Sequence, residues 1–120
     1  MPNYQTRVYD NILEMLSNVD NPTPLLRLHR TVPFTQAKVY AKLEWYNPFG
    51  SVKDRVAANM IHDAEEKGLL NDGQSLVEPT SGNTGMGLAM MANVKGFSLS
   101  TPLSKDIPAE KRAMLKFFGT

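Results

Sequence analysis

The residue with the most chemical potential is Lys53, in the run Asn47-Pro48-Phe49-Gly50-Ser51-Val52-Lys53-Asp54-Arg55. Pro48 and Gly50 interrupt an extended stretch, and Ser51 is a residue type that caps helices, so Lys53 falls in the first turn of a helix. The partial positive charge of a helix start disfavours an ammonium there by roughly 0.3–1 kcal/mol. A cation destabilised by its site has a depressed pKa, and an amine must lose its proton before it can attack a carbonyl. The position suits a lysine that condenses with a carbonyl compound.

A second run, Pro79-Thr80-Ser81-Gly82-Asn83-Thr84-Gly85, leads from an extended segment into another helix. Backbone amides at a helix start, with the hydroxyls of Thr80, Ser81 and Thr84 beside them, form a site for a carboxylate or a phosphate. Gly82 and Gly85 let the backbone approach the anion; the spacing does not say which anion. Taken singly, either run is more often ordinary: a lysine near a helix start is usually solvated, and such a loop is usually a turn with a cap. The two histidines, His29 and His62, lie among charged neighbours and read as solvated. No His-carboxylate cluster suggests a metal. Met86, Met90 and Met91 read as core filling.

Alternating strands and helices must position these loops. Tyr4 to Leu16 carries Val8, Ile12, Leu13 and Leu16 at helical spacing and predicts an amphipathic helix, ended by the stiff Asn21-Pro22-Thr23-Pro24 stretch. Leu25, Leu26 and Leu28 predict a short strand. The alternation from Val39 to Trp45 predicts the clearest strand, followed by a helix from about Val52 to Lys67 with Val52, Val56, Met60 and Ala64 as its buried stripe, widened by Ala57 and Ile61. Gly68 stops that helix, and Asp72-Gly73 turns the chain into a strand at Ser75 to Glu78. A helix from Asn83 to Val94 ends at Gly96, a strand covers Phe97 to Thr101, and Pro108 opens a last helix through Phe118. Short loops between alternating elements predict an α/β fold of parallel βαβ units.

The 120 residues fit one domain, with 42% hydrophobic and 21% charged residues, as in ordinary water-soluble proteins. Thirteen basic against twelve acidic residues give a formal charge of +1, which names neither nucleic acid nor anionic lipid as a partner. With no cysteine, disulfides and thiol nucleophiles are excluded within this sequence. The N-terminus has neither a signal-peptide pattern nor a membrane-spanning apolar run, so a cytoplasmic location is expected.

The two loops in this order, N-P-x-G-S-V-K-D-R and then P-T-S-G-N-T-G, resemble the N-terminal domain of fold type II, or β-family, pyridoxal-phosphate enzymes in the cysteine synthase and cystathionine β-synthase branch. T-P-L-L-R-L, A-N-M-I-H-D-A-E-E-K-G-L-L and I-P-A-E-K-R-A-M-L-K-F-F-G extend the resemblance over most of the chain. It implies pyridoxal 5'-phosphate as cofactor, carried by Lys53, which would also remove and return the substrate's α-proton. Asn83 would hydrogen-bond the cofactor's ring oxygen. Thr80, Ser81, Gly82, Thr84 and the amide of Asn83 would grip the α-carboxylate of an amino-acid substrate. The implied reaction is β-replacement: an activated serine, O-acetylserine or O-phosphoserine, loses its side-chain leaving group and sulfide adds to give L-cysteine. Alternatives are a cystathionine β-synthase-like enzyme and a truncated non-catalytic module that binds a partner.

There are departures from the family pattern. Asn21-Pro22-Thr23-Pro24 replaces G-N-T-P, Phe49 is bulkier than the residue often found there, and no counterpart of a haem-binding cysteine exists. Family enzymes are severalfold longer. The glycine-rich loop for the cofactor phosphate and the residue facing the pyridine nitrogen would come from later sequence. Residues 1–120 are therefore expected to be a partial N-terminal domain carrying the lysine and substrate loop, without a C-terminal domain, inactive alone and homodimeric in full-length form.

Overall fold

A computed structural model describes residues 6–120 of the protein. Its regular elements are β1 (Leu25–Leu28), β2 (Val39–Lys42), α1 (Lys53–Glu66), β3 (Ser75–Val77), α2 (Asn83–Lys95), β4 (Ser98–Ser100) and α3 (Ala109–Phe117). β3 and β4 pair in parallel, Ser75 opposite Ser98 and Val77 opposite Ser100, with α2 as the crossover between them. That is the βαβ unit expected of an α/β chain. β1 and β2 depart from the expectation: they form a separate antiparallel pair, Leu25 opposite Lys42 and Leu28 opposite Val39. Ten residues connect them with no helix to carry a parallel crossover, so the chain simply doubles back.

The helix ends follow local chemistry. Gly68 and Gly96 take the left-handed conformation, φ 64° and 77°, just past α1 and α2, where a side chain would be strained. Gly73, φ 73°, makes the turn expected at Asp72-Gly73. Pro108 stands at the start of α3, where its missing amide costs nothing.

α2 is the centre of the molecule. Leu88, Ala89, Met90, Met91 and Ala92 are all buried, joined by Ala57 and Ile61 of α1 and Leu99 of β4. A helix covered on successive faces must be apolar around its circumference, and the run from Gly85 to Ala92 is. Met90 and Met91 are core residues, as their spacing predicts; Met86 is half-buried.

Three expectations need correction. Of the helix expected from Tyr4 to Leu16, residues 1–5 lie outside the described residues, residues 6–9 are not helical, and only a 3-10 turn forms at Ile12–Met15, with the Asn11 side chain accepting from the Leu13 amide at 2.9 Å. Ile12, Leu13 and Leu16 lean on the core, but Val8 is 85% exposed, and a short helix without packing on its apolar face is marginal. The strand expected to reach Trp45 stops at Lys42: Glu44–Tyr46 form a 3-10 turn because the Glu44 side chain is held by groups elsewhere in the fold, leaving Trp45 64% exposed. The buried stripe of α1 is also rotated from the one expected. Asp54, Ala57 and Ile61 are buried, while Val52, Val56 and Met60 are 47%, 38% and 40% exposed.

The rotation of α1 follows from α2. A Cβ added at Gly87 would lie 2.9 Å from the Ala57 Cβ and 3.4 Å from the Lys53 carbonyl oxygen, so the two helices touch where neither carries bulk. Ala57 fits that contact and the larger Val56 or Met60 does not. No helix among the described residues is long and apolar enough to cross a membrane.

Gly87→Ala tests the contact. The substitution gains about 1 kcal/mol of helix propensity but overpacks a rigid neighbour at a typical cost of about 1–3 kcal/mol. The expected result is a net loss of stability in urea unfolding. A gain would mean that the helices separate freely.

Candidate active site

The closeness of α1 and α2 brings two helix starts together. Lys53 opens α1, its carbonyl oxygen lying against Gly87, and Asn83 opens α2 one turn earlier. The loop from Thr80 to Thr84 packs against the same helix: a Cβ at Gly85 would meet the Thr80 methyl at 3.0 Å, the Thr80 carbonyl at 3.1 Å and Leu115 of α3 at 3.3 Å. A side chain would clash at Gly87 and crowd its neighbours at Gly85, so Gly87 lets α1 close onto α2 and Gly85 seats the Thr80 loop there. Lys53 and Asn83 are exposed; Thr80, Ser81, Gly82 and Thr84 are half-buried.

The two helix starts differ in what their amides do. At α1 the Ser51 hydroxyl accepts from the Lys53 amide at 3.1 Å, so Ser51 caps the helix as expected, although the backbone boundary falls one residue later, at Val52. At α2 no side chain caps the helix, and the first helical bond is the Met86 amide to the Gly82 carbonyl at 3.2 Å. The first amides of α2 thus point out without a side-chain acceptor, which is the arrangement that binds an oxyanion. A cleft of about 180 Å³ opens beside them, lined by Ser81, Gly82, Asn83 and Met86, with Glu110 and Met114 of α3 on its far wall.

None of the four ion pairs among the described residues uses Lys53. The residues flanking it are heavily engaged. Asp54 is fully buried; its Oδ2 accepts from the Phe49 amide at 2.6 Å, while Oδ1 is buried without a partner. Burial pushes the Asp54 carboxyl up from its ordinary pKa, against the hydrogen bonds from Phe49 and Ser51 that lower it. Arg55 donates through Nε to Glu44 Oε2 at 2.8 Å and through Nη2 to Glu44 Oε1 and Thr23 Oγ1, both at 3.1 Å. Thr23 and Asn47 donate to the same carboxylate at 2.8 and 2.9 Å. This web holds the Glu44 carboxyl well below the usual carboxylate range, at about 2, chiefly through the Arg55 hydrogen bonds.

Sequence reading missed these supports. Asp54 carried a signal, since Asp54, Ala57 and Ile61 fall at helical spacing and place a carboxylate at the head of an apolar stripe. Glu44 carried none: its partners lie 21 and 11 residues away, at Thr23 and Arg55. His29 and His62 are both exposed, and His62 meets only Glu66, at 3.3 Å.

The parallel βαβ unit and the loops that enter its helices define an α/β domain, and comparison with known proteins gives the family. Residues 16–120 match the family described as pyridoxal-phosphate dependent enzyme, and the chain belongs to it. Within that family it is 50% identical over 97 residues to a probable cysteine synthase of Bacillus subtilis, covering 81% of this chain and 31% of the relative. It is 42% identical over 112 residues to a cystathionine beta-synthase of Dictyostelium discoideum, covering 93% of this chain and 22% of that one. The crystal structure of O-acetyl serine sulfhydrylase isoform 3 from Entamoeba histolytica superposes on all of this chain and 36% of its own, with TM-score 0.87 and 36% identity. The chain spans about a third or less of the length of these relatives.

The described residues suit pyridoxal phosphate in part: Lys53, which joins none of their ion pairs, offers an amine for the aldehyde, and the uncapped amides of α2 offer donors for an oxyanion. Acid unfolding tests the support beneath them. The unfolded chain protonates Glu44 near 4.5 and the folded chain only near 2, so the stabilisation is complete above the unfolded value and is lost as pH falls through the folded one. Glu44→Gln should be less stable than the parent at about pH 6, and the gap should narrow as the pH is lowered towards about 2. A gap independent of pH would show that Glu44 is not held as an anion.

Proposed function

We propose that this chain supplies the lysine and substrate-loop portion of a β-replacement enzyme that makes L-cysteine from an activated serine, O-acetylserine or O-phosphoserine, and sulfide. The observation that carries the reading is that Lys53, which joins no ion pair among the described residues, opens a helix whose first turn packs on α2, and that the first amides of α2 lack a side-chain cap. The similarity to cysteine synthases over most of the chain supports it.

Bound pyridoxal phosphate would supply an electron sink that acidifies the substrate's Cα–H and lets the β-substituent leave. The protein's part is to hold and orient. Lys53 Nζ anchors the cofactor, and once displaced by the incoming amino acid it takes the α-proton and later gives it back. The amides of Gly82, Asn83 and Thr84, with the hydroxyls of Thr80, Ser81 and Thr84, hold the α-carboxylate. The helix dipole of α2 reinforces that grip. The Asn83 side chain would hydrogen-bond the cofactor's ring oxygen and so help to orient it.

The phosphate-binding loop and the partner of the pyridine nitrogen would come from sequence other than these residues, either in a longer polypeptide or in a reassembled complex. The exposed row Val52, Val56 and Met60 on α1 suits such a complement, since an apolar row left in water forgoes its burial energy. A homodimer in the complete form and a cytoplasmic location belong to the same proposal.

The complete polypeptide, loaded with pyridoxal 5'-phosphate and reduced with borohydride, should carry the label on Lys53 after peptide mapping. Lys53→Ala should lose the visible absorbance of bound cofactor and essentially all activity. Label on another lysine would sink the assignment, and a colourless parent would favour the non-catalytic module. The 42% identity to a cystathionine beta-synthase supports a second reading, in which homocysteine replaces sulfide as nucleophile. Supplying the two thiols in turn decides between them, with turnover on sulfide expected to dominate.

A further inference from the structure

The geometry points to Asp54 as the positioning residue for Lys53, an inference that rests on the assignment of Lys53 as the cofactor lysine. A fully buried carboxylate is expensive, because water solvates the charge far better than protein does. Among the described residues Asp54 joins no ion pair that would offset that cost: its short hydrogen bond comes from the Phe49 amide, the Ser51 hydroxyl adds a weaker one, and its Oδ1 is buried with no partner. A residue placed only for stability at the head of the Ala57 and Ile61 stripe would be apolar. The carboxylate does something an apolar residue cannot, which is to reach back five residues and hold the loop that delivers Lys53.

The loop is held also at Asn47, which bonds Ser17 and Glu44, and through the Phe49 ring, which packs on Phe118. Between Asn47 and Val52 the Gly50 amide bonds to the Asn47 carbonyl at 2.8 Å, closing a tight turn with Gly50 at φ 71°. The Ser51 hydroxyl accepts from the Lys53 amide, which leaves its proton to donate towards Asp54. The Phe49 amide, at the crest of the turn, is bound only through Asp54 Oδ2, so this bond ties the crest to the helix. Asp54 itself packs against the central helix, its Cα lying 3.5 Å from where a Gly87 Cβ would be. α2, Asp54, the turn and Lys53 thus form a chain of contacts in which the carboxylate joins the crest of the turn to the helix. The direction in which the Lys53 side chain leaves the helix depends on it.

What matters in this arrangement is the reach of the acceptor oxygen, not the charge. Asp54→Asn keeps an oxygen at the same distance and removes the charge. Asp54→Glu keeps the charge and moves the oxygen out by one methylene. In the complete polypeptide loaded with pyridoxal 5'-phosphate, borohydride labelling of Lys53 is measured by peptide mapping against labelling of Lys105, an exposed lysine ahead of α3. Misplacing a reacting group by about 1 Å can cost about a hundredfold in rate, so Asp54→Glu and Asp54→Ala should lower the Lys53-to-Lys105 ratio by about tenfold or more, with Asp54→Asn within about twofold of the parent. Hydrogen exchange at the Phe49 amide, read without cofactor, should quicken in Asp54→Glu and Asp54→Ala and stay slow in Asp54→Asn.

If Asp54→Ala does not fold, the Asn and Glu variants decide. A Glu or Ala variant that labels Lys53 like the parent overturns the inference, whether or not it melts earlier, since that marks a purely structural role. A parent polypeptide with no label on Lys53 overturns both the inference and the lysine assignment. A labelled parent with unresponsive variants overturns the inference alone.

Discussion

The contact between α1 and α2 at Gly87 is the constraint on which the candidate site depends. Two helices can approach this closely only where both surfaces are nearly bare, and Gly87 facing Ala57 provides that. The approach turns the Asp54, Ala57 and Ile61 face of α1 inward, buries the carboxylate next to Lys53 and brings the start of α1 alongside the start of α2. A second glycine, Gly85, seats the Thr80 to Thr84 loop on the same helix, against Leu115 of α3. Two absent side chains on α2 thus let both the start of α1 and the Thr80 to Thr84 loop close onto it.

Around that contact the polar groups divide the work. Ser51 satisfies the Lys53 amide and Asp54 satisfies the Phe49 amide, so the α1 start is closed on itself. The α2 start is left open by the lack of a capping side chain at Gly82. A helix start already supplied with acceptors has less to offer a ligand, so the contrast distinguishes the helix that presents an amine from the one that presents amides. Further out, Glu44 gathers Arg55, Thr23 and Asn47 and fastens the β1–β2 hairpin to the helix that bears Lys53. Such a half-buried, multiply bonded carboxylate is worth more than a surface pair because its partners hold each other in place.

Phe49 gives the lysine loop a contact of its own. Its ring meets Phe118 edge to face at 4.8 Å, and Phe118 meets Phe117 in the same manner at 5.2 Å, so the turn before Lys53 also leans on the end of α3. A smaller residue at that position would leave the ring of Phe118 without this neighbour. The bulk that sets the sequence apart from its family pattern is therefore used in packing across the lysine loop.

The sequence by itself determined what local chemistry and short-range periodicity control. The α/β class, the helices after Ser51, Gly82 and Pro108, their glycine stops at Gly68 and Gly96, and the two motif loops were all legible, because caps, left-handed glycines and apolar spacing act within a few residues. Only the tertiary structure decided which stripe of α1 turns inward, that β1 and β2 run antiparallel, that β2 gives way to a turn at Glu44, and that residues 6–9 stay unwound. Two apolar stripes on one helix are equivalent until a neighbour selects the one that fits. A glutamate in an alternating run shows nothing of an arginine 11 residues on until the chain brings them together.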